Sequence, residues 1–365
     1  MRIRCSSGIA SSVGLARTLA IVAFTLPLAF LASPSHADQS KDWADCKGDD
    51  AKASLEACTR LLKGKLSSGD KASALGNRGW SHNSLGEYDA ALSDYQDCVK
   101  IAPKDTLAFC ITGVAQSYDY KEQYDDAVAQ ADKAIEADPK YSRAYVYKGY
   151  ALNEKSLYDN AIEQYDKALQ IDPRYTFAFY KRGQAYSNKD DYEKAAADYS
   201  KALLIDPTYN DARGARGYAN LYLGKLDKAM SDIEASVKAT PKDSWSLAVR
   251  GMVHMAQGDM DKAVTDLNSA IDLSPKTAWY HTQRGLAFMK QKKFKEAKDD
   301  FDSVIKDYPN AIEANAYLGQ AFEGMGDKDN AKKAYRTSLA NNASSADQRK
   351  AQQIALDALS QLDPQ

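Results

Sequence analysis

Residues 142–173 read SRAYVYKGYALNEKSLYDNAIEQYDKALQIDP, and residues 176–207, 34 positions further on, read TFAFYKRGQAYSNKDDYEKAAADYSKALLIDP. Each copy has Gly at its eighth position, Tyr at its seventeenth, Ala at its twentieth and Pro at its thirty-second. The apolar residues of each half recur at helical spacing, and a short polar turn joins the halves. A helix pair of this size cannot bury its apolar face alone, so copies must stack on one another. The chain is therefore a repeat array, and its function has to be sought on the surface that such an array presents.

Working outward, the same punctuation continues in both directions. Prolines stand at Pro103, Pro139, Pro173, Pro207, Pro241, Pro275 and Pro309, every interval being 34 except a first one of 36. Proline lacks a donor and disfavours helix in the residue before it, so each one stops a second helix. A second ladder is Ala91, Ala127, Ala161, Ala195, Ala229, Ala263, Ala297 and Ala331, where a small side chain lets two helices approach. A third is Gly79, Gly149, Gly183, Gly217, Gly251, Gly285 and Gly319. Glycine costs about 1 kcal/mol inside a helix, so close packing is the reason to expect it. One copy departs, with Ala115 in that register and Gly113 two residues early. Two rows of large residues are read as filling the core. They are Tyr88, Tyr124, Tyr158, Tyr192, Leu226, Met260 and Phe294, and then Tyr95, Tyr165, Tyr199, Ile233, Leu267, Phe301 and Tyr335.

This pattern resembles the tetratricopeptide repeat family, built from 34-residue helix–turn–helix units with small, aromatic and proline positions in these places. The resemblance covers residues 72–343 as eight units and implies an all-α, right-handed superhelical solenoid. Where the family often has Trp and Leu in the first helix, this chain has Tyr or smaller residues and a basic one. Residues 38–71 lack the pattern and read as a degenerate half-repeat or cap with one helix, about 50–63. Their WADC and ACTR segments look like the leader of some exported bacterial members of the family. The last unit has Ala343 in place of proline, and Ser345-Ala346-Asp347-Gln348 reads as a capping box opening a final helix to about Leu362. Residues 344–365 would thus form a C-terminal capping helix and tail.

The first 37 residues have a different character. Arg2, Arg4 and Arg17 precede an apolar run from Leu19 to Leu31, and Ser35-His36-Ala37 follows. This reads as a secretory signal peptide cleaved after Ala37, which implies a periplasmic or secreted protein. N-terminal sequencing of the exported protein should then begin at Asp38. Without the leader the net charge is −5 and no basic run remains, so neither nucleic acid nor an anionic membrane is an expected partner. The run holds Pro27 and is short for a membrane span, and no span follows it. Four cysteines remain, Cys46, Cys58, Cys98 and Cys110, an even number suited to an oxidising compartment. Pairing Cys46 with Cys58 and Cys98 with Cys110 gives two local bridges of the same 12-residue separation; the other pairings span longer stretches.

Catalytic constellations are missing. His82, His254 and His281 lie in different copies without metal-ligand spacing, and there is no GxSxG, glycine-rich phosphate loop or HExxH. The carboxylates are scattered at the spacing of solvated helix faces. No enzyme activity, cofactor or metal is expected. In the family the first helices line a groove, and the resemblance implies a peptide or protein partner held there. The groove positions are Trp80, Phe109, Tyr147, Tyr150, Phe177, Tyr180, Tyr218, Tyr222, Trp245, Met252 and Trp279, with Arg143, Lys181 and Asp211 as the few charges. The Lys/Asn/Arg set by which some members grip a C-terminal carboxylate is not reproduced, since Gly76 and Trp80 flank Asn77. An aromatic groove suits an extended apolar segment, and also a glycan, whose ring faces stack on Trp and Tyr.

One correlation runs through the copies. The residue before the glycine register is Arg78, Val114, Lys148, Arg182, Arg216, Arg250, Arg284 and Leu318. Sixteen residues later stand Asp94, Gln130, Gln164, Asp198, Asp232, Asp266, Asp300 and Ala334. Every Arg has an Asp, and no Asp occurs without an Arg. An ion pair joining the first helix to the second is expected in five copies, with Arg presenting two parallel donors as Lys cannot.

Overall fold

The computed structural model describes residues 36–343 and 345–362. Among these are nineteen helices and no strand. A leading pair, α1 (His36–Cys46) and α2 (Ala51–Leu62), precedes eight further pairs. These are α3 (Ser68–Ser84) with α4 (Tyr88–Ile101), α5 (Lys104–Tyr120) with α6 (Tyr124–Ala137), α7 (Ser142–Glu154) with α8 (Tyr158–Ile171), and α9 (Thr176–Asn188) with α10 (Tyr192–Ile205). Then come α11 (Asn210–Tyr222) with α12 (Leu226–Ala239), α13 (Ser244–Gln257) with α14 (Met260–Leu273), α15 (Ala278–Lys290) with α16 (Phe294–Asp307), and α17 (Ile312–Gly324) with α18 (Lys328–Leu339). The last helix is α19 (Ala346–Leu362). Two compact units result, one ending at Pro207 and one running from Thr208. Within each, every helix packs on the next in sequence, and successive first helices also touch.

The helix boundaries follow from the punctuating residues. Before each proline the backbone leaves the helix, as at Ala102 (ψ 130°), Asp172 (ψ 93°) and Asp206 (ψ 95°), because the proline ring excludes the helical conformation there. The turn inside each of the eight pairs after the leading one uses one residue with positive φ. Gly86, Gly224, Gly258 and Gly326 supply it in four pairs, and Glu122, Ser156, Asp190 and Lys292 adopt it in the others.

The eight ladder alanines are fully buried, as are the rings and aliphatic chains of the row from Tyr95 to Tyr335. The glycine ladder exists for that row. A Cβ on Gly183 would stand 2.6 Å from the Tyr199 ring, one on Gly149 2.7 Å from Tyr165 and one on Gly285 2.6 Å from Phe301. The departing copy obeys the same rule: Ala115 is opposite Ala131, both fully buried, where no ring demands the space. Its displaced Gly113 lies instead against Tyr95, whose ring is thereby flanked by Gly79 and Gly113. Gly183→Ala should therefore lower stability by about 1–2 kcal/mol, overpacking outweighing the gain in helix propensity. Gly69→Ala, which meets only Pro103 at 3.7 Å, should be neutral or stabilising by up to about 1 kcal/mol. Urea unfolding of both variants compares them.

Two expectations need correction. The row from Tyr88 to Phe294 is only half-buried, because each member is the first residue of a second helix and faces the turn. The leading segment holds two helices rather than one. Trp43 and Cys46 are the apolar anchors of α1, packing against Leu61 and Leu66, too few to set a visible period. Helix α1 begins at His36; the rest of the segment read as a signal peptide, residues 1–35, lies outside the described residues. At the other end Ser345 Oγ accepts a hydrogen bond from the Gln348 amide at 3.1 Å. Ala355, Leu359 and Leu362 of α19 then cover Tyr335 and Ala331.

Candidate functional site

Five intra-repeat ion pairs form the frame behind the first helices. Arg78, Arg182, Arg216, Arg250 and Arg284 each give Nε and Nη2 to the two oxygens of Asp94, Asp198, Asp232, Asp266 and Asp300, at 2.6–2.9 Å. The aspartates are all close to fully buried. A backward link, absent from the sequence reading, adds to these. Lys148 reaches Asp132 of the preceding repeat, Arg182 reaches Asp166 and Arg284 reaches Asn268. Each acceptor lies 16 residues before its donor, within the previous second helix. Lys148, which has Gln164 rather than an Asp sixteen residues on, is thus paired after all.

The histidines attach to this frame. Nδ1 of His281 lies 3.2 Å from Asp300 and Nε2 lies 2.9 Å from the Pro275 carbonyl. Only the imidazolium donates at both positions, and the Asp300 hydrogen bond raises the His281 pKa above its ordinary value. The stability so contributed is full below about pH 6.5 and is lost as pH rises through the higher folded-state value. Between pH 6 and pH 8 the wild type should lose about 1 kcal/mol or less relative to His281→Gln, read from paired melting curves. An equal loss in both proteins would refute it.

In the first unit the groove positions fall into a graded surface. Phe109 lies over Gly76 and meets the edge of Tyr95 at 6.5 Å. Tyr147 and Tyr180 are buried, whereas Trp80, Tyr150 and Phe177 are half-buried. The Lys181 ammonium sits over three rings, 4.5 Å from Tyr150, 5.2 Å from Phe177 and 5.4 Å from Tyr180, an arrangement attracted by the ring quadrupoles. The Lys181 charge also acts on Asp119, which is buried with neither carboxylate oxygen hydrogen-bonded. Burial raises its pKa well above the usual range, the Lys181 charge opposing. Helix α7 adds the half-buried Arg143, whose charge interacts with Tyr147, Tyr175 and Tyr141.

In the second unit the groove aromatics pack on one another. Tyr218 contacts Tyr222 at 4.8 Å, Trp245 at 6.0 Å and Trp279 at 6.5 Å. Met252 is buried, and Trp245 fills the space left by Gly214. Only Tyr222, 41% exposed, stands well into solvent. Several groove positions are thus shared between ligand-facing surface and packing between neighbouring first helices.

Both cysteine pairs are bonded. Cys46–Cys58 joins α1 to α2 with Cα atoms 4.8 Å apart, and Cys98–Cys110 joins α4 to α5 at 5.7 Å. Among the described residues no group of three His, Cys, Asp or Glu could hold a metal ion, and no helix is long and apolar enough to cross a membrane.

Comparison with known proteins agrees with this architecture. Tetratricopeptide repeat models match residues 72–105, 115–176, 177–209 and 282–346, and a TPR repeat model matches residues 251–292. Small glutamine-rich tetratricopeptide repeat-containing protein 2 of Saccharomyces cerevisiae is 32% identical over 65 residues, a span of 18% of either chain. A tetratricopeptide repeat protein from Parabacteroides merdae superposes with a TM-score of 0.54 at 18% identity, over 70% of this chain and all of that one. The APC/C hetero-tetramer Cut9–Hcn1 gives 0.53 at 14% identity, over 87% of this chain and 83% of that one. An IFIT1 structure with Gppp-AAAA gives 0.55 at 14% identity, over 87% of this chain and 81% of that one. With the repeat models spread along residues 72–346 and the helix pairs, small-residue ladders and prolines in matching places, the chain belongs to the tetratricopeptide repeat family.

Proposed function

We propose that this protein is an exported, non-catalytic scaffold, periplasmic or secreted, that holds an extended segment of a peptide or protein along its first helices. The observation that carries this reading is the half-open aromatic surface of α5, α7 and α9. Tyr and Phe rings there are anchored by packing on one side and accessible on the other, the arrangement expected of a surface that receives apolar side chains. The rigid Arg–Asp frame lies behind that surface and leaves it free. The signal-like first 37 residues and two disulfides support the compartment. A net charge of −5 without the leader offers no electrostatic basis for nucleic-acid binding.

A glycan partner is the competing reading, favoured by three groove tryptophans. It has less support, because Trp245 and Trp279 turn their rings onto Tyr218. Capture from envelope extract, separated into protein and glycan fractions, discriminates the two. Tyr150→Ser with Lys181→Ser should abolish capture of the protein fraction, whereas Leu204→Ser, changing a side chain 83% exposed on a second helix, should not. Capture confined to the glycan fraction, or insensitive to the groove substitutions, would overturn the proposal.

A further inference from the structure

We propose that Asp119 is a proton-operated switch in the first unit: uncharged, it lets α5 and α7 close together, and on losing its proton it forces that contact open, whatever the groove holds. Asp119 is 3% exposed, and no described residue donates a hydrogen bond to either of its carboxylate oxygens. The repeats on both sides carry an amide in the same register, Asn83 and Asn153, and both are buried as well. Each of those amide oxygens is served from the next repeat. Ser117 Oγ donates to Asn83 at 3.2 Å, and Asn188 Nδ2 donates to Asn153 at 3.2 Å. The register that gives Ser117 to Asn83 gives Ala151 to Asp119, and an alanine side chain has nothing to donate. A buried amide short of one partner is a modest loss, whereas a buried carboxylate without any is a severe one.

The neighbouring groups do not remove that cost. Glu154 of α7 opposes the ionised form, and Lys181 of α9 favours it. The Lys181 ammonium is itself drawn to three rings, nearest Tyr150 of α7 at 4.5 Å. Tyr120, Tyr150 and Tyr165 also interact with Asp119, and the Tyr165 hydroxyl is buried without a hydrogen bond. The remaining charges on the helices packed against α5 are engaged elsewhere. His82 of α3 is held by Glu87 at 2.6 Å, Asp89 of α4 by Lys121 at 2.5 Å, and Asp125 of α6 by Lys155. Burial prevails and holds the Asp119 titration well above the ordinary range. Position adds to it, because Asp119 lies in the last turn of α5, where the carbonyl ends of a helix disfavour an anion. The backbone just beyond is strained: Glu122 stands at φ 60°, a left-handed conformation that side chains resist, and its amide donates to the Asp119 carbonyl at 3.0 Å. The turn after α5 is the place where the closed arrangement yields.

The sign of the effect is fixed by linkage. An acid whose folded-state pKa is raised contributes stability that is full below its unfolded value of about 3.9 and is lost as pH rises through the folded value. Opening lets Asp119 ionise freely, so within that window the open fraction of α5 and α7 should grow about tenfold per pH unit. Hydrogen exchange of the full-length protein at pH 5, 6 and 7, corrected for intrinsic rates, reads this directly. Protection of α5 and α7 amides should fall about tenfold per pH unit in the wild type until the raised value is passed. It should stay level in Asp119→Asn, which copies the amide of the flanking repeats. Asp97→Asn, which changes an exposed partner of Lys100 on α4, should keep the wild-type profile. Equal profiles in the wild type and Asp119→Asn would overturn the switch, as would a loss of protection spread evenly through α11–α18. Should Asp119→Asn fail to fold, carboxyl-carbon NMR of the wild type decides. An Asp119 midpoint well above about 3.9, with α7 amides shifting at the same pH, upholds the proposal, and failure of either condition removes it.

Discussion

Arg182→Met should lower the unfolding free energy by about 3 kcal/mol, the loss expected when one partner of a buried ion pair is removed. Asp198 is only 4% exposed and depends on Arg182 for both of its strong hydrogen bonds. Without the guanidinium it must be rehydrated or protonated inside the helix interface. Lys201, 3.7 Å away and itself mostly exposed, is a weak substitute. Arg182→Lys should recover little of the loss, because an ammonium cannot face both oxygens in plane. Arg216→Met should cost less, since Asp232 is 12% exposed and Asn220 also approaches it at 3.4 Å. Denaturant melts of the three variants read the series. A loss below about 1 kcal/mol for Arg182→Met would mean that the pair behaves as a solvated surface contact.

Opening the Cys98–Cys110 bridge, by the double change Cys98→Ala and Cys110→Ala, should also cost about 3 kcal/mol, the value for a closed loop of this length. The bridge crosses from α4 to α5, that is from one repeat to the next, and both residues are fully buried. Its loss should therefore weaken cohesion between repeats as well as lower the midpoint. Removing Cys46–Cys58 should act more locally, because α1 stands at the end of the array and packs mainly on α2 and through Trp43. Limited proteolysis separates the two cases: cleavage confined to the first helices for Cys46/Cys58, and spread through α3–α6 for Cys98/Cys110. Identical patterns would contradict this assignment.

Much of the architecture was legible because each ladder records one physical requirement repeated along the chain. Proline marks where backbone must leave the helix, alanine marks where helices touch, and glycine marks where a large side chain sixteen residues later needs room. The apparent fault at Ala115 follows the same rule once Ala131 is noticed, since small faces small. The Arg–Asp frame was legible for a similar reason: covariation between repeats of one chain carries spatial information. The backward links were not, because Asp132, Asp166 and Asn268 share a register with Ser200 and Glu234, which break the pattern. Helix α1 was missed because it has few apolar residues to count. Asp119 was illegible as a special group. Its character lies in what does not surround it, a missing hydrogen-bond donor, and local spacing cannot report an absence. The groove aromatics were found by position, but the division between packing and exposed surface depends on how neighbouring first helices approach.

Arg182 carries a consequence of a different kind. Its side chain holds Asp198 of α10 and Asp166 of α8 at once, so α9 is clamped to both flanking helices by a single group. In a linear array, cooperativity depends on how strongly each repeat's state is coupled to that of its neighbour. Where one guanidinium serves two interfaces, opening either leaves the other short of its partner, and the two openings cease to be independent events. Backbone amides of α8, α9 and α10 should then exchange with solvent as one block at a common rate.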